Sequence, residues 1–165
     1  MKSKITAFDP GKSNFAYASV TADAKIAESG IMNFPIMTLK SKELKSHVKS
    51  FGNEIKTLLS RCNPNVIIIE RYQSRHKGLN NEIINIAIGI LLQSACNRNC
   101  EVSLLTAAAW KNALKKEYGI NTYEKIMEAL PKHIGDCVCM GAYYFEKICN
   151  KKIFSSILSN IGSLK

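Results

Sequence analysis

Two apolar runs in this sequence each close on a single carboxylate: Lys4-Ile5-Thr6-Ala7-Phe8-Asp9, followed by Pro10-Gly11, and Asn65-Val66-Ile67-Ile68-Ile69-Glu70. Runs of β-favouring residues bounded by a breaker or a charge read as strands that stop at the acid. Strand ends are where a rigid scaffold holds reactive groups. An isolated Asp-Pro-Gly can equally open a turn; the second strand ending on an acid is what suggests a paired site. A third group lies further on, where His133 and Asp136 are three residues apart and share one face at the start of a helix. Alone, Asp136 would complement the helix dipole and His133 would be a capping or solvated residue. Together, Asp9, Glu70, His133 and Asp136 come from three separated elements. Adjacent strands lie about 5 Å apart, so two strand-end carboxylates can share divalent cations. Carboxylates held that close need a cation to stay ionised. Hard oxygen donors favour Mg²⁺, with Mn²⁺ as a substitute. Two such ions about 4 Å apart can activate a water and stabilise the leaving oxygen of an in-line phosphodiester displacement. A neutral His133 would be a ligand or a base for that water.

The elements that must position these groups have to come from 165 residues, which suits one domain burying about two-thirds of its unfolded surface. We read residues 1–150 as that domain and 151–165 as a C-terminal tail. The net charge of +10 favours a polyanionic partner, nucleic acid first and an acidic membrane surface second. Acids are scarce, with three aspartates (Asp9, Asp23, Asp136) among thirteen, so each is informative. Six cysteines contain no CxxC pair, which points to reduced thiols rather than a zinc site or a disulfide framework. No apolar run reaches membrane-spanning length, and the N-terminus lacks a secretory apolar region. A soluble intracellular protein is expected; cytoplasm, a viral factory, a phage-infected cell and an organelle matrix all fit.

Taken in order, residues 4–8, 13–21 and 25–34 read as three strands joined by short connections, an antiparallel meander. Residues 39–60 carry apolar side chains at helical spacing beneath a lysine-rich outer face. The strand to Glu70 and a basic loop follow. Residues 79–97 then make a helix whose isoleucines and leucines (83, 84, 86, 88, 90, 91, 92) cover nearly its whole circumference. Such a helix needs burial on two sides: the sheet on one, and on the other a partner subunit, unless it is the central helix of a monomer. A strand over 101–105, a helix capped by Thr106, a short helix from Thr122 and a helix from His133 or Ile134 to Cys149 complete the chain. The alternation predicts an α/β fold with a mixed five-stranded sheet, three antiparallel strands then two parallel ones, flanked by helices.

Three motifs in this order carry a resemblance. Ala7-Phe8-Asp9-Pro10-Gly11-Lys12-Ser13-Asn14-Phe15-Ala16-Tyr17-Ala18 is similar to the first-strand motif of RuvC-type Holliday-junction resolvases, in the RNase H-like superfamily. Ile67-Ile68-Ile69-Glu70-Arg71 resembles their fourth-strand glutamate, and His133-Ile134-Gly135-Asp136 resembles their C-terminal acidic motif. The likeness spans residues 4–149. It departs at His133, where many members carry a second aspartate. The resemblance implies an RNase H-like fold and a homodimeric, Mg²⁺-dependent endonuclease that nicks two strands of a four-way DNA junction symmetrically. Asp9, Glu70, His133 and Asp136 would be its catalytic and metal residues, and helix 79–97 its dimer helix. A broader cutter of flaps, forks and branched DNA, and a non-catalytic junction-binding module, remain as alternatives.

Four basic clusters could track DNA phosphates: Lys12; Arg71, Arg75 and Lys77; Lys111, Lys115 and Lys116; and Lys132. Tyr72 could stack on an unpaired base or serve in packing. Gly11-Lys12-Ser13 resembles the end of a phosphate-binding loop, but Thr6 stands where the first glycine is required. Cys137 and Cys139 flank Asp136, and we read them as helix-packed thiols rather than nucleophiles.

Overall fold

A computed structural model describes residues 4–11, 14–32, 41–71 and 79–162. In chain order the elements are β1 (Lys4–Pro10), β2 (Phe15–Thr21), β3 (Ile26–Met32), α1 (Ser41–Cys62), β4 (Val66–Glu70), α2 (Leu79–Cys96), β5 (Glu101–Leu105), α3 (Ala107–Tyr118), α4 (Ile120–Ala129), α5 (Lys132–Lys147) and α6 (Phe154–Gly162). The β2–β3 hairpin turns at residues 22–25, where Ala24 takes φ 61° and its amide donates to the Thr21 carbonyl. Thr106 caps α3 as expected, its hydroxyl accepting from the Ala109 amide at 3.3 Å. The short helix expected from Thr122 begins two residues earlier, with Gly119 alone closing α3 and α4 starting at Ile120.

The five strands form one sheet in the order β3-β2-β1-β4-β5. β1, β2 and β3 pair antiparallel, while β4 and β5 run parallel to β1. The mixed sheet of the sequence reading is therefore present, with β1 at its centre. Period-two alternation divides its side chains between two cores. On one face, Ile5, Ala7, Ala16, Ala18, Val20 and Ile68 pack under α3–α6. On the other, Phe8, Phe15, Tyr17, Ile67 and Ile69 meet Phe51, Ile55 and Leu59 of α1 and Ile83, Ala87 and Leu91 of α2.

The first face is paved with alanine, which lets α5 come close. A Cβ on Gly141 would lie 3.0 Å from Val20 Cγ2 and 3.2 Å from Val20 Cβ, so only glycine fits there without a shift. Residues 154–162, in the stretch expected as a tail, form α6, whose Phe154, Ile157 and Ile161 are buried in the same core. Glu146 of α5 anchors its start, accepting from the Phe154 amide at 2.7 Å and the Ile153 amide at 3.0 Å.

Candidate active site

Strand parity decides where the two strand-end acids go. Ile5 and Ala7 face α5, so Asp9, two residues further along β1, faces it too. In β4, Ile68 faces α5 whereas Ile67 and Ile69 face α1 and α2, which puts Glu70 on the α5 side. Parallel register pairs Ala7 with Ile68 and Phe8 with Ile69, so Asp9 comes beside Glu70 at the same end of neighbouring strands. A one-residue slip would send one of the acids to the opposite face. α5 begins after Pro131 and brings His133 and Asp136 over this strand end, one turn apart.

The side chains converge. His133 Nδ1 lies 2.7 Å from Asp9 Oδ2. Donor atoms of Asp9, His133 and Asp136 all fall within 4.8 Å of one another. Glu70 lines the same cleft, of about 400 Å³, without joining that tight trio. Three cations expected to contact phosphates, Arg71, Lys111 and Lys132, line it as well. Lys111 reaches furthest in, with Nζ 3.3 Å from Asp136 Oδ1. The sequence had grouped it with Lys115 and Lys116 as a cluster that could track DNA phosphates; spacing placed all three on a helix but not the depth of one of them. Lys115 instead sits over the Tyr123 ring, 4.8 Å from its centroid, and Lys116 is exposed. Lys12, Tyr72, Arg75 and Lys77 lie outside the described residues.

The electrostatics are those of acids held together. Burial raises the Asp9 carboxyl, and its contact with His133 pulls it back. Burial, and then the charge of Asp9, pushes Glu70 up to about 7. Such crowding is relieved by a cation, and the hard carboxylate oxygens suit Mg²⁺ or Mn²⁺, while the imidazole is a donor of the kind preferred by later, softer metals. An ionised Asp9 can only accept, so it takes a hydrogen bond from Nδ1–H of His133, and in the neutral ring Nε2 then keeps the free lone pair. Burial also raises the thiols of Cys137 and Cys139, which leaves both protonated at neutral pH and unsuited to nucleophilic attack.

No protein-family model and no curated protein sequence matches the chain. Solved structures do. A RuvC from Thermus thermophilus in complex with a Holliday junction substrate superposes with a TM-score of 0.69 at 17% identity, covering 91% of this chain and 98% of that one. The yeast mitochondrial Holliday junction resolvase Ydc2 gives 0.64 at 14% identity, over 99% and 86%. The fowlpox virus Holliday junction resolvase gives 0.50 at 20% identity, over 88% and 99%. The chain has the RNase H-like fold of RuvC-type resolvases, as its three motifs led us to expect.

Proposed function

We propose that this chain is a divalent-metal-dependent endonuclease that resolves four-way DNA junctions by paired, symmetric nicks. The observation that carries the reading is the convergence of Asp9, His133 and Asp136 donors within 4.8 Å, with Glu70 in the same cleft, on a fold shared with junction resolvases. Divalent cations, Mg²⁺ first and Mn²⁺ as a substitute, would supply Lewis-acid stabilisation of the leaving oxygen and a more acidic water. Asp9, Glu70 and Asp136 provide the hard oxygens that hold them. His133, fixed through Nδ1 on Asp9, offers Nε2 either to a cation or to the proton of the attacking water. Lys111 neutralises Asp136 and, with Arg71 and Lys132, draws a phosphate backbone toward a cleft whose acids would otherwise repel it.

Paired nicks need two sites, and α2 is the element suited to join them. One side of it is buried against α1 and the sheet through Ile83, Ala87 and Leu91, while Ile86, Ile88, Ile90 and Leu92 remain partly exposed and Gly89 is open. That residual apolar surface supports a homodimer closed through α2.

The test is strand-mapped cleavage of a synthetic four-way junction, with and without Mg²⁺, beside a flap and a linear duplex. Symmetric nicks in the junction alone are expected. Equal cutting of the flap would favour the broader branched-DNA nuclease, and a bound but intact junction in Mg²⁺ would favour the binding module.

A further inference from the structure

Asp136 has a neighbour from a helix that the proposed chemistry does not use. α4 runs so close to the first turn of α5 that a Cβ at Gly135 would lie 3.0 Å from Met127 Sδ and 3.3 Å from Met127 Cε. Tyr123, one turn before Met127, shares its face of α4. The Tyr123 ring is buried, tilted against Trp110 at a centroid distance of 6.4 Å, and covered by the Lys115 ammonium. Its hydroxyl reaches Asp136 Oδ1 at 3.5 Å, a long contact but the one this buried hydroxyl has among the described residues.

We infer that Tyr123 is a positioning residue for the cation site, its hydroxyl donating to Asp136 Oδ1 and fixing the rotation of that carboxylate. Two donors address Oδ1, and they differ in kind. Lys111, whose ammonium also lies 4.8 Å from the Trp110 ring centroid, is carried on a flexible stem at the open side of the cleft and can move when a cation or a phosphate enters. Tyr123 is neutral and clamped between Trp110 and Lys115, so its donor stays in place through those changes. With Oδ1 held by a fixed donor, Oδ2 would be the oxygen left free for a cation. Hydrogen-bond partners of ligating carboxylates orient them in this way. The role presupposes the cation-dependent nuclease proposed above, and the experiment keeps the two apart.

Mn²⁺ binding is measured on the whole chain without DNA, from the loss of the free-ion paramagnetic resonance signal. It is compared for the wild type, Tyr123→Phe and Tyr123→Leu, beside thermal melts in chelator and junction nicking against Mn²⁺ concentration. Tyr123→Phe keeps the ring, its Trp110 contact and the overlying lysine, and removes only the donor. Loss of such a partner typically costs about 10- to 100-fold in metal affinity, so Tyr123→Phe is expected to bind Mn²⁺ about tenfold more weakly. Its nicking should need correspondingly more Mn²⁺, yet recover toward the wild-type rate at saturation, with the melt in chelator nearly unchanged. Wild-type Mn²⁺ affinity in Tyr123→Phe would overturn the role. So would loss of its cooperative melt in chelator, because the hydroxyl would then serve folding. A deficit confined to Tyr123→Leu would assign the effect to the packed ring and overturn it too. A wild type that binds Mn²⁺ but cuts no DNA would instead remove the nuclease reading and leave the cation site standing.

Discussion

The two helical layers of this molecule cover the same sheet by different means. α1 and α2 lay large side chains, Phe51, Ile55, Leu59, Ile83 and Leu91, onto Phe8, Phe15 and Ile69, and that contact is apolar except at its β3 edge, where Glu28 accepts from Tyr17, Arg61 and Cys62. α5 lies on alanines and buries charge: Asp136 and Glu146 are both nearly inaccessible, and each has hydrogen-bonding partners. An apolar layer tolerates small shifts, because dispersion and burial are not directional. A layer that carries two proposed ligand side chains over a strand end does not, since misplacement by about 1 Å can cost a hundredfold in rate. The close backbone approach on the α5 side, made possible by Ala7, Ala16, Ala18 and Gly141, is the packing that such placement requires.

The strongest way to break this contrast is to compare one residue from each face of β1 and its neighbours. Asp9→Asn keeps the shape and removes one charge of the proposed cation site; junction nicking is expected to fall by about a thousandfold, the upper end of the usual loss for one transition-state donor, with junction binding retained. Nicking at the wild-type rate would mean that Asp9 is not in the catalytic group. Phe51→Ala, in the other layer, is expected to cost about 3–5 kcal/mol of stability. That corresponds to a melting point lower by roughly 10 °C. Nicking per folded molecule, measured well below that melt, should be unchanged.

Two glycines sharpen the same comparison at smaller scale. Gly141→Ala drives a methyl to about 3.0 Å from Val20 Cγ2, in a place where Val20 has no flexible end to move. Overpacking of this kind costs about 1–3 kcal/mol, and here it also lifts α5, so nicking should drop along with the melting point. Gly89→Ala in α2 meets nothing within 4 Å in its own chain. Within one subunit it should stabilise the helix by up to about 1 kcal/mol. Any weakening of the proposed dimer, read by sedimentation at falling concentration, would therefore come from contact with a second copy of the chain. An undiminished dimer would move the interface away from this part of α2.

Much of this was legible in the sequence because strands write their faces with period two and helices theirs with period 3.6. The runs ending at Asp9 and Glu70 marked both strands, and the i, i+3 spacing of His133 and Asp136 set their shared face; the side of the sheet on which the acids fall came from the β1–β4 register. Thr106 marked the start of α3. What could not be read was depth across elements. Lys111 looks like its neighbours Lys115 and Lys116 along the chain, and only the packing of α3 against α5 brings its ammonium to Asp136. Tyr123 gave no signal beyond a polar tip in an apolar helix face. α6 was missed because its anchor is tertiary: the Glu146 carboxylate receives the amides of residues 153 and 154 from the preceding helix.

The subtlest difference between the layers is in their response to pH. Burial and the charge of Asp9 push Glu70 up to about 7, from an ordinary value near 4.5. A carboxyl raised on folding binds more protons in the folded state than in the unfolded one, so the slope of stability with pH is negative between the two values. Metal-free protein should therefore be most stable below about pH 4.5 as far as this group is concerned, and lose that contribution as pH rises to about 7. Asp9, also raised, adds in the same direction. Allowing for solvent screening in an open cleft, the loss is about 1 kcal/mol. In a chain of this length that is a fall of roughly 2–4 °C in the melting point measured in chelator. Glu70→Gln should flatten the fall, and Mg²⁺ added at pH 7.5 should reverse it in the wild type. The Phe51→Ala protein should show the same slope on a lower baseline, because the described residues of its layer include no carboxyl raised by burial; Glu28 there is held low by Arg61. A slope that survives in Glu70→Gln and vanishes in Phe51→Ala would reverse the assignment of the two layers.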